Sequence, residues 1–229
     1  MCLQIQAESG AQVPPHITCA EASAVLAKTL TFIKERALLS RRLPRGDQLT
    51  LVRRCWAPLL VLGLAQDKVD FETVETSETS ILHKILTYGP ANSHKESGDH
   101  HSPSAADIQT IKRFLVKCWS LDISPKEYAY LKGTLLFNPE LPGLHYVGYI
   151  QSLQQEAHEA LKEYVKSIYT EDQSRFFNLI IALTMLRCIS ASVIVELFFR
   201  PIGNVNIDDK LLDVLCVDSK AQATEEISA

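Results

Sequence analysis

The sequence predicts an all-α protein, built as a stack of helices around one core. Apolar residues recur with helical spacing along most of the 229 residues, and three of these stretches begin at a hydroxyl residue followed by an acidic residue three positions later. Only one short segment, 69–74, alternates apolar and polar residues as a β-strand does. With 46% apolar residues, a chain of this length can bury a substantial core.

The first two predicted helices are separated by a Pro-Gly break. The first starts at Thr18, where Thr18 and Glu21 form a capping-box pattern, and it ends before Leu43-Pro44-Arg45-Gly46. The second begins near Asp47 and is apolar on nearly all sides, which predicts a central position in the stack. Pro58 is expected to kink it.

The later helices follow from the same start and stop signals. Ser104 and Ser124 are predicted caps, and Pro125 occupies the first helical position, where its missing N–H costs nothing. The other predicted elements are a brief helix over 81–87, a mobile polar loop over 88–103, a long helix over about 144–169, an apolar helix over about 171–199 and a last helix over 208–216. We expect tails at 1–17 and 217–229, flanking one domain at 18–216.

Composition and charge narrow the function. The net charge of −4 does not suggest a surface for nucleic acid or anionic lipid. The six cysteines are scattered without any Cys-x-x-Cys pair, which predicts buried, reduced thiols in a reducing compartment and no zinc module. The N-terminus lacks the pattern of a secretory signal. The apolar run 176–199 carries Arg187 and Glu196, so a buried core helix is favoured over a membrane span.

Catalytic motifs are missing from the sequence. The dinucleotide-binding glycine motif, the P-loop, the Gly-x-Ser-x-Gly elbow and the His-Glu-x-x-His metal motif are all absent. His158-Glu159 has no second histidine one turn later, so no zinc pair is predicted there. We therefore expect no enzyme activity, no cofactor and no metal site.

Several long segments resemble a known family. Phe32-Ile33-Lys34, the segment Leu43 to Leu51 and Cys55-Trp56-Ala57-Pro58-Leu59-Leu60 resemble the signature of nuclear-receptor ligand-binding domains. Four more segments resemble the orphan branch that lacks a DNA-binding domain: 64–67, 126–133, 136–139 and 197–202. The resemblance covers about residues 18–216 and implies a three-layer helical sandwich with one short β element.

The resemblance also implies a partner-binding groove. In that family, a helix with the motif Leu-x-x-Leu-Leu lies in an apolar groove between a lysine and an acid, which stabilise the unsatisfied groups at its two ends. The lysine matches Lys34, the groove matches Gln48, Leu49 and Val52, and the acid matches Asp213.

Two further segments are candidate partner-binding elements. Leu82, Ile85 and Leu86 fit Leu-x-x-Ile-Leu and would share one helix face, although the same spacing also suits a helix that only packs in the core. In the repressors of this branch, the segment after the groove lysine docks on a target receptor. Here its apolar contacts would come from Leu38, Leu39 and Leu43.

The function implied by the resemblance is that of a transcriptional corepressor. It would bind other nuclear receptors, of the steroidogenic-factor and liver-receptor-homologue type, and recruit corepressor proteins, without binding DNA or membrane itself. The prediction includes a homodimer or heterodimer, and the expected location is the nucleus and cytoplasm. The alternative is a ligand-regulated receptor domain that binds a small hydrophobic molecule.

Overall fold

The fold is a helical stack, and the helices account for most of the described chain. A computed structural model describes residues 15–39, 42–71, 104–172 and 174–199, without the side chains of 15–19, 37–39 and 105. The α-helices within these ranges are α1 (Pro15–Leu39), α2 (Arg45–Gln66), α3 (Ala105–Ser120), α4 (Pro125–Leu136), α5 (Val147–Ile168), α6 (Arg175–Thr184) and α7 (Ala191–Phe198). A 3₁₀-helix, Met185–Cys188, follows α6 directly. The predicted all-α class is confirmed.

Helix α2 is the centre of the stack. It packs against α1, α3, α4 and α7, and α4 in turn packs against α5, so α2 and α4 lie between the outer helices α1 and α5. Every residue from Leu59 to Ala65 is buried. This confirms the central position predicted from its all-round apolar surface, because a helix with apolar residues on every side must be covered on every side.

The predicted capping boxes at α3 and α4 are both present. Ser104 accepts a hydrogen bond from the backbone N–H of Asp107, and the Asp107 carboxylate accepts one from the N–H of Ser104. Ser124 and Glu127 make the same reciprocal pair at the start of α4. Each pair satisfies backbone groups that a helix N-terminus leaves without partners, which explains why short-range sequence signals placed these helices correctly.

A buried ion pair ties the start of α6 to the start of α4. The Arg175 guanidinium donates from Nε to Glu127 Oε1 at 2.6 Å and from a terminal nitrogen to Oε2 at 2.8 Å. It also donates to the backbone carbonyls of Leu121 and Asp122. Its central carbon, Cζ, lies 4.0 Å from the centre of the Tyr169 ring. This single side chain therefore joins three parts of the fold: the turn after α3, α4 and the segment before α6.

The predicted apolar helix over 171–199 is wrong as one element. The chain forms α6, the 3₁₀-helix and α7, and the two halves meet at 79°. Ser190 explains the break, because its hydroxyl accepts from the N–H of Val193 and so starts a new helix. Among the described residues no single helix is long and apolar enough to cross a membrane. The bent pair meets that test only when its two halves are taken together.

Several other predicted elements differ from the structure or lie partly outside the described residues. Helix α1 begins at Pro15, so Thr18 lies inside the helix and cannot be its N-cap. Of the predicted strand, residues 69–71 form neither helix nor strand, and 72–74 lie outside the described residues. The predicted helices at 81–87 and 208–216 and the loop at 88–103 also lie outside them. Cys55 and Cys118 are buried free thiols as expected, whereas Cys188 is exposed.

Candidate functional site

The predicted partner-binding residues within the described ranges lie on the C-terminal half of α1, in the connection that follows it and in the first part of α2. Lys34 lies near the end of α1 and is half-buried. Gln48 and Leu49 lie in the first two turns of α2 and are half-buried as well. Leu49 packs against the core with part of its surface still accessible. We call the surface formed by Lys34, Gln48 and Leu49 the α1–α2 corner.

Two of the predicted contact residues lie beneath the surface. Val52 is 0% exposed and Leu43 is 4% exposed, and both belong to the hydrophobic core. A partner cannot touch them directly in this conformation. Their contribution to the corner is therefore indirect: they fill the space under Gln48 and Leu49 and hold the start of α2 in place.

Gln48 has a structural contact that the sequence pattern did not show. Its side-chain Nε2 donates to the backbone carbonyl of Leu43 at 3.0 Å, while its backbone N–H donates to the carbonyl of Pro44 at 3.1 Å. The amide side chain thus satisfies a carbonyl in the connection between α1 and α2. This contact fixes the shape of the corner, and it leaves the amide oxygen as the acceptor available to a partner.

Positive charge predominates around the corner. Arg36 lies in the last turn of α1, and Arg42 and Arg45 in the connection and at the start of α2 are exposed. Glu35 is an exposed acid in the same region, so cations exceed anions among the described residues here. A partner helix presents partial negative charge at its C-terminus, and this surface favours that end.

Asp47 anchors the neighbouring side of α2 and was not predicted from sequence as a structural residue. Its carboxylate is 0% exposed and accepts from the backbone N–H groups of His145 and Tyr146, and it lies 3.0 Å from Nδ1 of His145. Burial raises the pKa of Asp47, but these hydrogen bonds together outweigh that effect and hold the pKa below its ordinary value. The carboxylate therefore joins the start of α2 to the segment that leads into α5.

The remaining predicted site residues cannot be placed from the structure. Asp213, Leu82, Ile85 and Leu86 lie outside the described residues. Leu38 and Leu39 belong to the last turn of α1, but their side chains lie outside the described set. The groove therefore remains a prediction: the structure places Lys34 on α1 and Gln48, Leu49 and Val52 on α2, and its acidic end lies outside the described residues. No cluster of three or more His, Cys, Asp or Glu side chains suited to a metal occurs within 15–39, 42–71, 104–172 and 174–199.

Comparison with known proteins gives the family. The model of the ligand-binding domain of nuclear hormone receptors matches residues 31–202. The chain belongs to this family. It is 51% identical over 219 residues to nuclear receptor subfamily 0 group B member 1 of Sus scrofa, an alignment that covers 88% of this chain and 46% of that protein. The proteins of the same name from Callithrix jacchus and Homo sapiens are each 49% identical over 222 residues, with the same coverage.

These matches confirm the predicted family and branch and limit what else can be concluded. The receptors that it resembles belong to a family of transcription regulators that are not enzymes, and that act in the nucleus. The chain spans about half the length of the curated relatives it matches. The activity and partners of a whole protein of this kind are therefore matters for proposal.

Proposed function

We propose that this chain is a transcriptional corepressor, which binds other nuclear receptors and recruits corepressor proteins without binding DNA itself. The observation that supports the proposal is the α1–α2 corner, where half-buried Lys34 on α1 and half-buried Leu49 on α2 lie on two packed helices of a nuclear-receptor domain. The net charge of −4 and the absence of Cys-x-x-Cys pairs in this sequence support the part of the proposal that concerns DNA.

In the proposed mode of binding, a Leu-x-x-Leu-Leu helix lies on the corner. The ammonium group of Lys34 stabilises the unsatisfied carbonyls at the C-terminus of the helix, and Leu49 supplies apolar contact beside the amide of Gln48. The carboxylate of Asp213 would accept hydrogen bonds from the free N–H groups at the N-terminus of the bound helix. Val52 and Leu43 act from below, as their burial requires.

A second mode of binding uses helices that this chain itself presents. Leu82, Ile85 and Leu86 would form the apolar face of a short helix that enters the groove of a target receptor. Leu38 and Leu39 would add contacts from the end of α1, and the buried Leu43 would support this segment from below. These two modes make the chain both an acceptor and a donor of leucine-rich helices, and they allow homodimers as well as heterodimers.

The proposed targets are receptors of the steroidogenic-factor and liver-receptor-homologue type, and the proposed location is the nucleus with a cytoplasmic fraction. The alternative function, a ligand-regulated domain, would need a small hydrophobic molecule to change the groove. The preference for repression rests on the branch of the family that the sequence matches and on Leu49, a partly exposed apolar residue that packs on the core.

The first prediction tests the corner directly. Lys34→Ala combined with Asp213→Ala should weaken the binding of a fluorescent Leu-x-x-Leu-Leu peptide about tenfold or more, because both ends of the bound helix lose their charged partner. Fluorescence polarisation measures the dissociation constant.

Lys162→Ala, at an exposed lysine of α5, is the matched control and should leave peptide binding unchanged. Equal affinity of the wild type and the double variant would remove Lys34 and Asp213 from the site. A failure of purified nuclear-receptor domains to bind the wild-type chain would count against the proposed function as a whole.

A further inference from the structure

One face of helix α2 is basic over its first three turns. With about 3.6 residues per turn, several residues between Arg45 and Arg54 lie on one continuous arc of the helix surface. We call this arc the arginine face of α2, and its members are Arg45, Gly46, Leu49, Thr50, Arg53 and Arg54. All of them are exposed or half-buried, whereas Asp47, Leu51 and Cys55 on the other sides of the helix are buried. The face therefore carries three arginines and no acid.

The guanidinium groups of Arg53 and Arg54 are not neutralised by the rest of the described chain. Both residues are exposed, and neither side chain takes part in an ion pair or a hydrogen bond within 15–39, 42–71, 104–172 and 174–199. The acid in the first turn of α2, Asp47, is buried and accepts hydrogen bonds from the N–H groups of His145 and Tyr146. The positive charge of these two arginines thus faces solvent, where a partner can meet it.

Helix α5 shows what an ordinary solvated face of this protein looks like. Its exposed charged residues alternate in sign along the helix and are Glu156, Glu159, Lys162, Glu163 and Lys166. Mixed signs of this kind are typical of a surface that faces water alone. The arginine face has one sign only, on a chain whose net charge is −4. Such a patch favours the approach of a partner of opposite charge.

The spacing on the arginine face describes the partner further. Arg45, Leu49 and Arg53 are four residues apart, so they form a stripe in which Leu49 lies about 6 Å along the axis from each arginine. Leu49 packs on the core with part of its surface still accessible. A guanidinium binds a carboxylate through two parallel hydrogen bonds. The stripe therefore matches an apolar contact placed between two carboxylates that are about 12 Å apart, or about eight residues of a helix.

An acidic polypeptide matches this face better than a nucleic acid does. The net charge of −4 repels nucleic acid from the rest of the molecule, and the arginines of one short face neutralise only a few phosphates. Leu49, at the centre of the stripe, offers an apolar contact that a leucine side chain can use and a phosphate backbone cannot. Eight residues also separate two positions that lie just outside the ends of a Leu-x-x-Leu-Leu motif.

We propose that the arginine face of α2 selects partner polypeptides in which acidic residues lie on both sides of the leucine-rich helix. Arg45 and Arg53 bind the two flanking carboxylates, and Arg54 adds charge at the edge of the face. Partners with basic residues at these positions are rejected by like-charge repulsion. This inference rests on the proposed corepressor function and deepens it, because it names the charge of the segment that the α1–α2 corner binds.

The test measures the binding of fluorescent peptides to the whole chain by fluorescence polarisation. The peptides share one Leu-x-x-Leu-Leu core and differ only in the residues before and after it, which are Glu, Gln or Lys. The Glu-flanked peptide should bind at least about threefold more tightly than the Gln-flanked one, and the Lys-flanked one least tightly, because exposed ion pairs give modest gains. The preference should shrink as the salt concentration rises from about 0.05 M to about 0.5 M, since salt screens exposed charges.

Charge-reversal variants locate the preference on the arginine face. Arg45→Glu combined with Arg53→Glu should reverse the order, so that the Lys-flanked peptide binds most tightly. Arg113→Glu combined with Lys162→Glu, at exposed residues of α3 and α5, changes the net charge by the same amount and should keep the original order. Arg53→Gln, a milder change, should reduce the preference for Glu about twofold. Thermal unfolding followed by circular dichroism checks that each variant is folded.

The outcomes separate this inference from the corepressor function. Equal binding of the Glu-flanked and Gln-flanked peptides would overturn the inference and leave the corepressor function intact. An equal loss of preference in the control variant would overturn it too, as would displacement of the Glu-flanked peptide by a random DNA duplex but not by a Glu-rich competitor. A Glu-flanked peptide with alanines in place of the leucines completes the test. If it bound while the Gln-flanked leucine peptide did not, the arginine face would stand and the leucine-binding groove would fail.

Discussion

The charges of Glu127 and Arg175 offer the clearest test at the scale of single residues. Glu127 is 0% exposed, and two of its hydrogen bonds come from the Arg175 guanidinium. Arg175→Ala would leave this buried carboxylate without its cation, and we expect a loss of about 3–5 kcal/mol in the free energy of unfolding. Urea denaturation followed by circular dichroism measures the loss.

The exposed pair of Arg187 and Glu140 provides the control for that experiment. Both side chains are about two-thirds or more exposed, so Arg187→Ala should cost less than about 1 kcal/mol. Adding Glu127→Gln to Arg175→Ala should restore part of the loss, because the uncompensated buried charge is removed. If Arg175→Ala cost no more than Arg187→Ala, the pair would not hold the fold together as described.

The contacts of Glu127 also show which interactions a sequence pattern can predict. The local half of it, Ser124 with Glu127, was predicted because a capping box joins residues three positions apart. Arg175 lies 48 positions further along, and no short-range signal connects it to Glu127. Sequence spacing predicts contacts within one turn of a helix, whereas contacts between distant turns depend on how the helices pack.

At the scale of elements, the approach of α1 to α2 depends on Gly63. A Cβ atom added at Gly63 would lie 2.7 Å from Cγ1 of Val25 and 3.4 Å from Oγ1 of Thr29. Val25 is buried and branched at Cβ, so it cannot rotate away. Gly63→Ala should therefore destabilise the domain by about 1–3 kcal/mol, even though alanine favours helix by about 1 kcal/mol. Thermal unfolding by calorimetry measures the change.

Gly148 is the matched control for the Gly63 substitution. It lies in the first turn of α5 and has nothing within 4 Å of an added Cβ atom, so Gly148→Ala should be neutral or stabilising. Val25→Ala combined with Gly63→Ala should recover part of the lost stability by removing the clashing methyl group. A Gly63→Ala variant as stable as the wild type would mean that α1 moves away from α2 at little cost.

The helices differ in how well the sequence predicted them, and the reason is the kind of signal each contains. The start of helix α2 was predicted near Asp47, two residues from its place at Arg45, because Pro44 precedes the helix and its apolar surface is continuous. The run that becomes α6 and α7 was taken as one helix, since its hydropathy does not fall at the 3₁₀-helix. Ser190 was the available signal, because a serine before an apolar stretch is a favoured N-cap.

At the scale of the whole molecule, the candidate site was only partly predictable from the sequence. The corner followed from a family resemblance, since Lys34 alone is an ordinary helix lysine. Burial also corrected two predicted contacts: Val52 matches the family's groove and Leu43 was expected in the segment after Lys34, yet both are covered by the core.

The pH dependence of folding stability is also a property of the whole molecule, because two buried carboxylates connect parts of the chain that are distant in sequence. In Glu127, burial raises the pKa, and the hydrogen bonds from Arg175 and Ser124 outweigh that effect and lower it below the ordinary value of 4.5. The pKa of Asp47 is lowered in the same way from its ordinary value of 3.8 by hydrogen bonds from the N–H groups of His145 and Tyr146. A carboxylate with a lowered pKa binds protons more readily in the unfolded chain than in the folded one.

Asp47 and Glu127 should therefore contribute fully to the free energy of unfolding above about pH 6. This contribution should be lost as the pH falls through their ordinary pKa values of 3.8 and 4.5 toward their lower pKa values in the folded protein. In this acid range, each group adds up to about 1.4 kcal/mol per pH unit to the slope of the free energy of unfolding against pH. Asp47→Asn should flatten that slope as well as lower stability at pH 7, whereas Glu156→Gln, at an exposed acid of α5, should leave the slope unchanged. Urea midpoints measured from pH 7 to pH 3 test this, and equal slopes for Asp47→Asn and the wild type would contradict it.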